Sequence, residues 1–197
     1  MAKRQRPNKG DRRIILIFGE GKTERAFVRH LMSQGLNRGL GSIRAMTARG
    51  GCPEHMVERV QREVEYRWKI EGKPTALLLL DGDRIEGKSH LQRLKKKATG
   101  IHLFISRPCI EALFLTFLEP TRDWRRSKSG TIKRHFHRSY LGERDKVEYT
   151  AYASLEALHP HALTAACRAR EHEHGAWAYD FVTRLLDCMF AHDLTTG

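Results

Sequence analysis

Glu20 and the triplet Asp81-Gly82-Asp83 are the residues of this chain best placed to do chemistry together. Glu20 follows the apolar run "RRIILIFG", and the triplet follows "TALLLL" at once. Short apolar runs closed by glycine or a polar turn read as buried strands. Carboxylates set directly after two such strands share one edge of an open parallel sheet, the edge where ligand sites form. With one residue between them, Asp81 and Asp83 can both turn toward a common point. Three convergent carboxylates offer hard oxygen donors of the kind that Mg²⁺ takes at about 2.0–2.1 Å while retaining several waters. Gly21 and Gly82 are expected to relieve crowding where backbone and ligand meet. Solvated strand ends also collect acidic residues and glycines, so it is the pairing of Glu20 with the triplet that carries this reading.

The same stretch, "GEGKTE", invites a competing one: Gly21-Lys22-Thr23 looks like the end of a phosphate-binding P-loop. That loop needs a second glycine five positions before the first of these residues. Position 16 is Leu16, inside the strand. The loop is too short to wrap a phosphate in successive backbone N–H groups. An NTPase, with Asp81 in the role of a Walker B aspartate, is the weaker alternative and would depend on Lys22.

The elements that must position these groups follow from hydrophobic periodicity. A strand is expected at Arg13 to Phe18 and a helix from Lys22 to about Ser33. A weaker strand is expected at Ser42 to Ala48. Gly50-Gly51-Cys52-Pro53 turns into a helix with proline at its first position, reaching about Ile70. Strand Thr75 to Leu80, helix Ser89 to Ala98, strand Ile101 to Ile105 and helix Cys109 to Leu118 complete a βαβαβαβα order. Strands apolar on both faces with helical crossovers imply a mostly parallel sheet flanked by helices, an α/β, Rossmann-like fold. Residues 121–148 read as a polar, basic, irregular loop. Residues 149–197 read as a C-terminal helical extension packed on residues 13–120, and residues 1–12 as a flexible basic arm.

The 197 residues suit one domain of ordinary size. No apolar run nears the roughly 20 residues of a membrane span, and the basic start lacks the apolar core of a secretory signal. Cys52, Cys109, Cys167 and Cys188 lack CxxC spacing, which suits buried thiols in a reducing cytoplasm better than disulfides or zinc. The net charge is +13, but residues 139–197 hold five basic and nine acidic residues, leaving +17 on the rest. A field of that sign draws polyanions, of which nucleic acid is the commonest.

Two tracts concentrate the positive charge. One runs from Arg84 to Arg107, and the other is "RDWRRSKSGTIKRHFHR", from Arg122 to Arg138. Lys22, Arg84, Arg107, Arg122, Arg125, Arg126, Lys128, Lys133 and Arg134 are candidate phosphate contacts. Trp124 is a ring able to stack on an unpaired base, which would suit single strands or looped RNA. Lys95, Lys96 and Lys97 read instead as one charged helix face. The pairs His135/His137, His159/His161 and His172/His174 invite a zinc reading, but the latter two lie in helical sequence, where rings two residues apart diverge. His135 or His137, in the basic loop, reads as a cationic contact ahead of a proton donor for RNA cleavage.

The order glutamate after the first strand, then DxD after a later one, resembles the TOPRIM domain of topoisomerases, bacterial primases and OLD-family nucleases. Within that superfamily the chain is similar to RloB-like proteins of prokaryotic defence and restriction loci. The matching residues are Glu20-Gly21-Lys22-Thr23-Glu24, Gly50-Gly51, Asp81-Gly82-Asp83 and "SRPCIEALFLTFL". The likeness departs at Ile110, where the family usually has an aromatic residue, and at Ala112-Leu113-Phe114, where it is tryptophan-rich.

That resemblance implies a nuclease dependent on Mg²⁺ or Mn²⁺ in antiviral defence, acting on DNA or RNA, possible tRNA included. Asp81 and Asp83 would hold the ion, and Glu20 would be general acid/base or a ligand of a second ion. Glu111 would complete a two-metal site, where paired ions sit about 3.5–4 Å apart. Glu24 would be a further ligand, or simply a favourable charge at a helix N-terminus. An ATPase from the same locus is a partner implied by analogy alone. The rival class is a non-catalytic nucleic-acid-binding or regulatory subunit that keeps the acidic cluster. A free-standing topoisomerase or primase would need parts for which 197 residues leave no room.

Overall fold

The computed structural model describes residues 14–36, 42–142, 144, 148–170 and 175–190. Four strands form one all-parallel sheet: β1 (Ile14–Gly19), β2 (Ser42–Thr47), β3 (Thr75–Asp81) and β4 (Ile101–Ser106), in the order β2-β1-β3-β4. Helices α1 (Lys22–Leu31), α2 (Pro53–Glu71) and α3 (Gly87–Lys97) make the three crossovers. Then come α4 (Ile110–Leu118), α5 (Ser129–Phe136), α6 (Pro160–Ala169) and α7 (Ala176–Phe190), seven α-helices among the described residues. None of these is long and apolar enough to cross a membrane.

Period-two alternation explains why Ile14–Phe18 of β1 and Ala76–Leu80 of β3 are apolar without a break. Ile15, Ile17, Leu77 and Leu79 face one cluster, with Phe27 and Leu31 of α1 and residues of α4 to α7. Ile14, Leu16, Phe18, Ala76, Leu78 and Leu80 face the other, with Met56, Val57 and Val60 of α2 and Leu94 of α3. A central parallel strand covered on both sides has no polar face to offer. The aromatic centre of the first cluster joins Phe27, Phe114, Phe136 and Tyr152, with ring centroids 4.7–6.4 Å apart. One core therefore runs from the sheet into the C-terminal helices.

The chain leaves β1 toward β2 on one side and later enters β3 on the other. Strand order thus reverses between β1 and β3, whose register pairs Gly19 with Leu79. At such a switch point the crevice beyond the carboxyl ends of the strands is open to ligands. Glu20 and Asp81 stand at its two lips.

The basic tract corrects the sequence reading. It is not irregular: a short 3₁₀ turn (Trp124–Arg126), α5 and a π turn (His137–Leu141) fill most of it. Trp124, Ile132, Phe136 and Leu141 are buried, and these apolar anchors among the cations pin the tract to the core. The arm 1–12 and the pair His172/His174 lie outside the described residues.

Crowding also falls partly elsewhere than expected. A Cβ on Gly82 would meet the Ser106 carbonyl oxygen at 2.7 Å, but one on Gly21 would find its nearest neighbour at 3.4 Å. Gly19 is the tight position of the first loop: its Cβ would lie 2.6 Å from Glu24 Cβ and 2.9 Å from the Arg25 nitrogen. Gly19→Ala must therefore push α1 away from β1, an overpacking expected to cost about 1–3 kcal/mol. Urea denaturation tests this, and an unchanged midpoint would contradict it.

Candidate metal centre

Each carboxylate reaches the crevice by a local cause. Glu20 continues the strand pairing, its N–H donating to the Leu79 carbonyl at 2.9 Å, while its own carbonyl accepts from Gly50 at 2.9 Å. These bonds fix its backbone and turn its side chain inward. Oε2 accepts the Asp81 N–H at 3.1 Å, and Oε1 pairs with Arg84 Nε at 3.1 Å. Arg84 in turn donates to the Gly51 carbonyl at 2.9 Å, tying the glycine turn before α2 to the end of β3. Glu24, in the first turn of α1, reaches back to accept the Gly21 N–H at 2.8 Å.

Asp81 is the most connected residue of the site. Its Oδ1 accepts the Ile110 N–H at 2.9 Å and the Ser106 hydroxyl at 3.2 Å, and its Oδ2 accepts from Lys133 Nζ at 2.8 Å. Glu111 enters from the first turn of α4, and its Oε2 is buried with no hydrogen-bond partner among the described residues. Glu20, Glu24, Asp81 and Glu111 are all buried, at 7, 4, 4 and 3% exposure. Asp83 stays exposed at the rim, its N–H bonded to the Pro108 carbonyl at 2.9 Å.

Crowded like charges out of water resist ionisation. Burial, then the charge of Asp81, raises the Glu111 carboxyl, against the pull of Lys133. Burial also raises Glu20, opposed by its bond from the Asp81 N–H. Burial and the charge of Asp81, with that of Glu111 behind them, push Glu24 from an ordinary 4.5 to about 7. Lys133 answers this field. Burial works against its ammonium, yet the bond to Asp81 and the charges of Asp81 and Glu111 outweigh it and raise its pKa.

The donor set fits a divalent cation in chemistry: four buried carboxylates, mutually repelling, with one buried oxygen left unpartnered. It is not a finished cage, because no three of the His, Cys, Asp and Glu side chains described here stand at metal-ligand spacing. Lys133 and Arg84 already supply positive charge there.

The comparison with protein families bears on the same residues. A family model described as RloB-like protein matches residues 15–189, spanning the whole carboxylate cluster and α5. The chain belongs to the RloB-like family. No curated protein and no solved structure matches it.

For this family member, the structure brings together Glu20, Glu24, Asp81 and Glu111 and leaves Asp83 beside them. It moves Lys133 out of the surface-contact set, since Lys133 bonds Asp81. It also removes Trp124 as a stacking platform. That ring is 1% exposed, with His135 stacked on it at 4.9 Å between centroids and the Arg122 guanidinium 3.9 Å from its centroid. Lys22, Arg84, Arg107, Arg122, Arg125, Arg126, Lys128 and Arg134 are exposed. Of the histidines, His135 bonds Glu119 at 2.7 Å and the rings of His159 and His161 lie 5.8 Å apart at the start of α6.

Sequence reasoning missed Ser106 and the true place of Lys133. The spacing Ile132, Phe136 around Lys133 was the available signal, because a helix buried on that stripe must carry its neighbour inward.

A pH dependence follows from Glu24. Between about pH 4.5 and 7 the folded chain keeps a proton that the unfolded chain has released, so this group's contribution to stability falls as pH rises. In EDTA, Glu24→Gln is expected to exceed wild type in stability by about 3 kcal/mol at most at pH 7, shrinking toward zero near pH 4.5. Denaturation curves across that range check it, and a gap independent of pH would contradict it.

Proposed function

We propose that this protein is a metal-dependent phosphodiester hydrolase acting on nucleic acid, with a TOPRIM-type sheet, in the cytoplasm of a prokaryote defending against phage. The observation that carries the reading is the cluster of four buried carboxylates at the sheet's switch point, with Glu111 Oε2 unpartnered. Mutual repulsion of that kind is retained where a cation relieves it. Mg²⁺ or Mn²⁺ held by Asp81, Glu111, Glu20 and Asp83, with Glu24 in reserve, would polarise a phosphodiester and acidify a water.

The chain's own groups supply the rest. The Ile110 N–H and Ser106 hydroxyl hold Asp81 in one orientation. Glu24, pushed up to about 7, exchanges a proton near physiological pH and suits the role of general acid/base. Burial raises Glu20 as well, and it takes that role where it does not hold the ion. Lys133 neutralises Asp81 in the free protein, and a cation held by Asp81 would release its ammonium to meet a phosphate oxygen. Arg84, 51% exposed in its side chain, bridges Glu20 to solvent and meets the same polyanion. An ATPase partner remains a proposal by family analogy.

Cleavage of labelled tRNA, single-stranded DNA and plasmid with Mg²⁺, Mn²⁺ or EDTA tests the reading. Wild type is expected to cleave at least one of them with metal, and Glu20→Ala and Asp81→Ala/Asp83→Ala to lose at least about 100-fold. Absence of cleavage with nucleic-acid binding unchanged in both variants would establish the second reading, a non-catalytic binding subunit. The Lys133–Asp81 and Arg84–Glu20 pairs favour that second reading.

Lys133 gives an independent measurement. Removing the resident ammonium by Lys133→Gln is expected to tighten Mn²⁺ binding several-fold in calorimetry, since one competitor for Asp81 is gone. Weaker binding in that variant would mean that Lys133 supports the ion rather than competing with it.

A further inference from the structure

On the β4 side of Asp81, a cleft of about 580 Å³ opens between the turn that follows β3, the start of α3 and the Trp124–Arg126 turn. It shares Gly82 with the Asp81–Asp83 turn, so it begins where the carboxylate cluster ends. Ile85, Leu91 and Ile105 give it apolar walls. Lys88 and Arg107 line it as well, exposed and without a carboxylate partner among the described residues. Arg125 and Arg126 also line it, held by Asp123 at 2.9 and 3.5 Å.

We propose that this cleft takes one unpaired nucleotide of a single-stranded nucleic acid, next to the phosphodiester that the carboxylates address. Three observations carry the assignment. The volume falls in the range of pockets that enclose a small ligand, about 300–1,000 Å³, which suits a base with its sugar and excludes a duplex. Apolar walls welcome the face of a base, and a paired base keeps its faces inside the stack. The free cations at the walls suit phosphates, which every nucleotide carries regardless of sequence. The turn holding Arg125 and Arg126 is anchored by the buried Trp124, so those cations are presented from a fixed position.

The substrate class is therefore single-stranded nucleic acid or an unpaired loop, with DNA and RNA sharing the chemistry that the cleft reads. This deepens the hydrolase reading for the same site but is measured by binding alone. Fluorescence anisotropy with the full chain in EDTA uses a labelled oligo-dT, an oligo-U and a duplex of equal length. One or both single strands are expected to bind tighter than the duplex. Lys88→Gln/Arg107→Gln, at two exposed positions, is expected to weaken single-strand binding about tenfold near 0.15 M salt and to flatten the salt slope by roughly 1.4.

Glu20→Gln, tested beside it, separates the two ideas. Weakened binding in the Lys88/Arg107 variant and not in Glu20→Gln supports the cleft even if no preparation cleaves anything. A duplex that binds as tightly as both single strands overturns the assignment. So does wild-type affinity and salt slope in the double variant whose melting curve matches wild type.

Discussion

Asp81 takes an amide from the start of α4, a hydroxyl from the end of β4 and an ammonium from α5, all on one carboxylate. Its own amide goes to Glu20 beyond β1. One side chain and one N–H thus join two central features, the switch point of the sheet and the helices that cover one face. The other three buried carboxylates are arranged around it, and its charge raises each of them. Placement of the cluster follows from this residue more than from any apolar contact.

The surrounding architecture makes such a cluster tolerable. Parallel strands buried on both faces give a stiff frame, and their carboxyl ends can hold charge at fixed distances. Breaking a buried pair by removing one partner commonly costs more than the pair is worth. Lys133 is the counter-ion most exposed to that logic, since it is half-buried and faces both Asp81 and Glu111. Arg84 differs, because its exposed guanidinium also braces the Gly50–Gly51 turn and its charge is screened by solvent.

The frame was legible in the sequence because it rests on local signals. Leu16 and Leu78 sit in apolar runs of strand length, Pro53 opens its helix, and Glu20 and Asp81 end their strands. Strand Ser42–Thr47 and helix Ile110–Leu118 fall within a residue of the expected bounds. Glu24 could not be separated from a helix-terminal charge, since only tertiary burial distinguishes the two. Trp124 and Lys133 defeated the reading for a related reason. Both lie in a strongly cationic tract whose composition says solvent, while a sparse stripe of Ile132, Phe136 and Leu141 folds it onto the core. Charge density outweighed periodicity in the sequence, and burial outweighed charge density in the structure.

The bond between Lys133 and Asp81 spans 52 positions, and that between Asp81 and Glu20 spans 61. Synthesis from the amino end therefore delivers Glu20, Glu24, Asp81 and Glu111 before the lysine that neutralises them. Until α5 leaves the ribosome, the nascent sheet carries its acidic residues without that internal counter-ion. The charged centre thus matures only once α5 has joined the sheet, and a chain truncated before α5 would lack it in finished form.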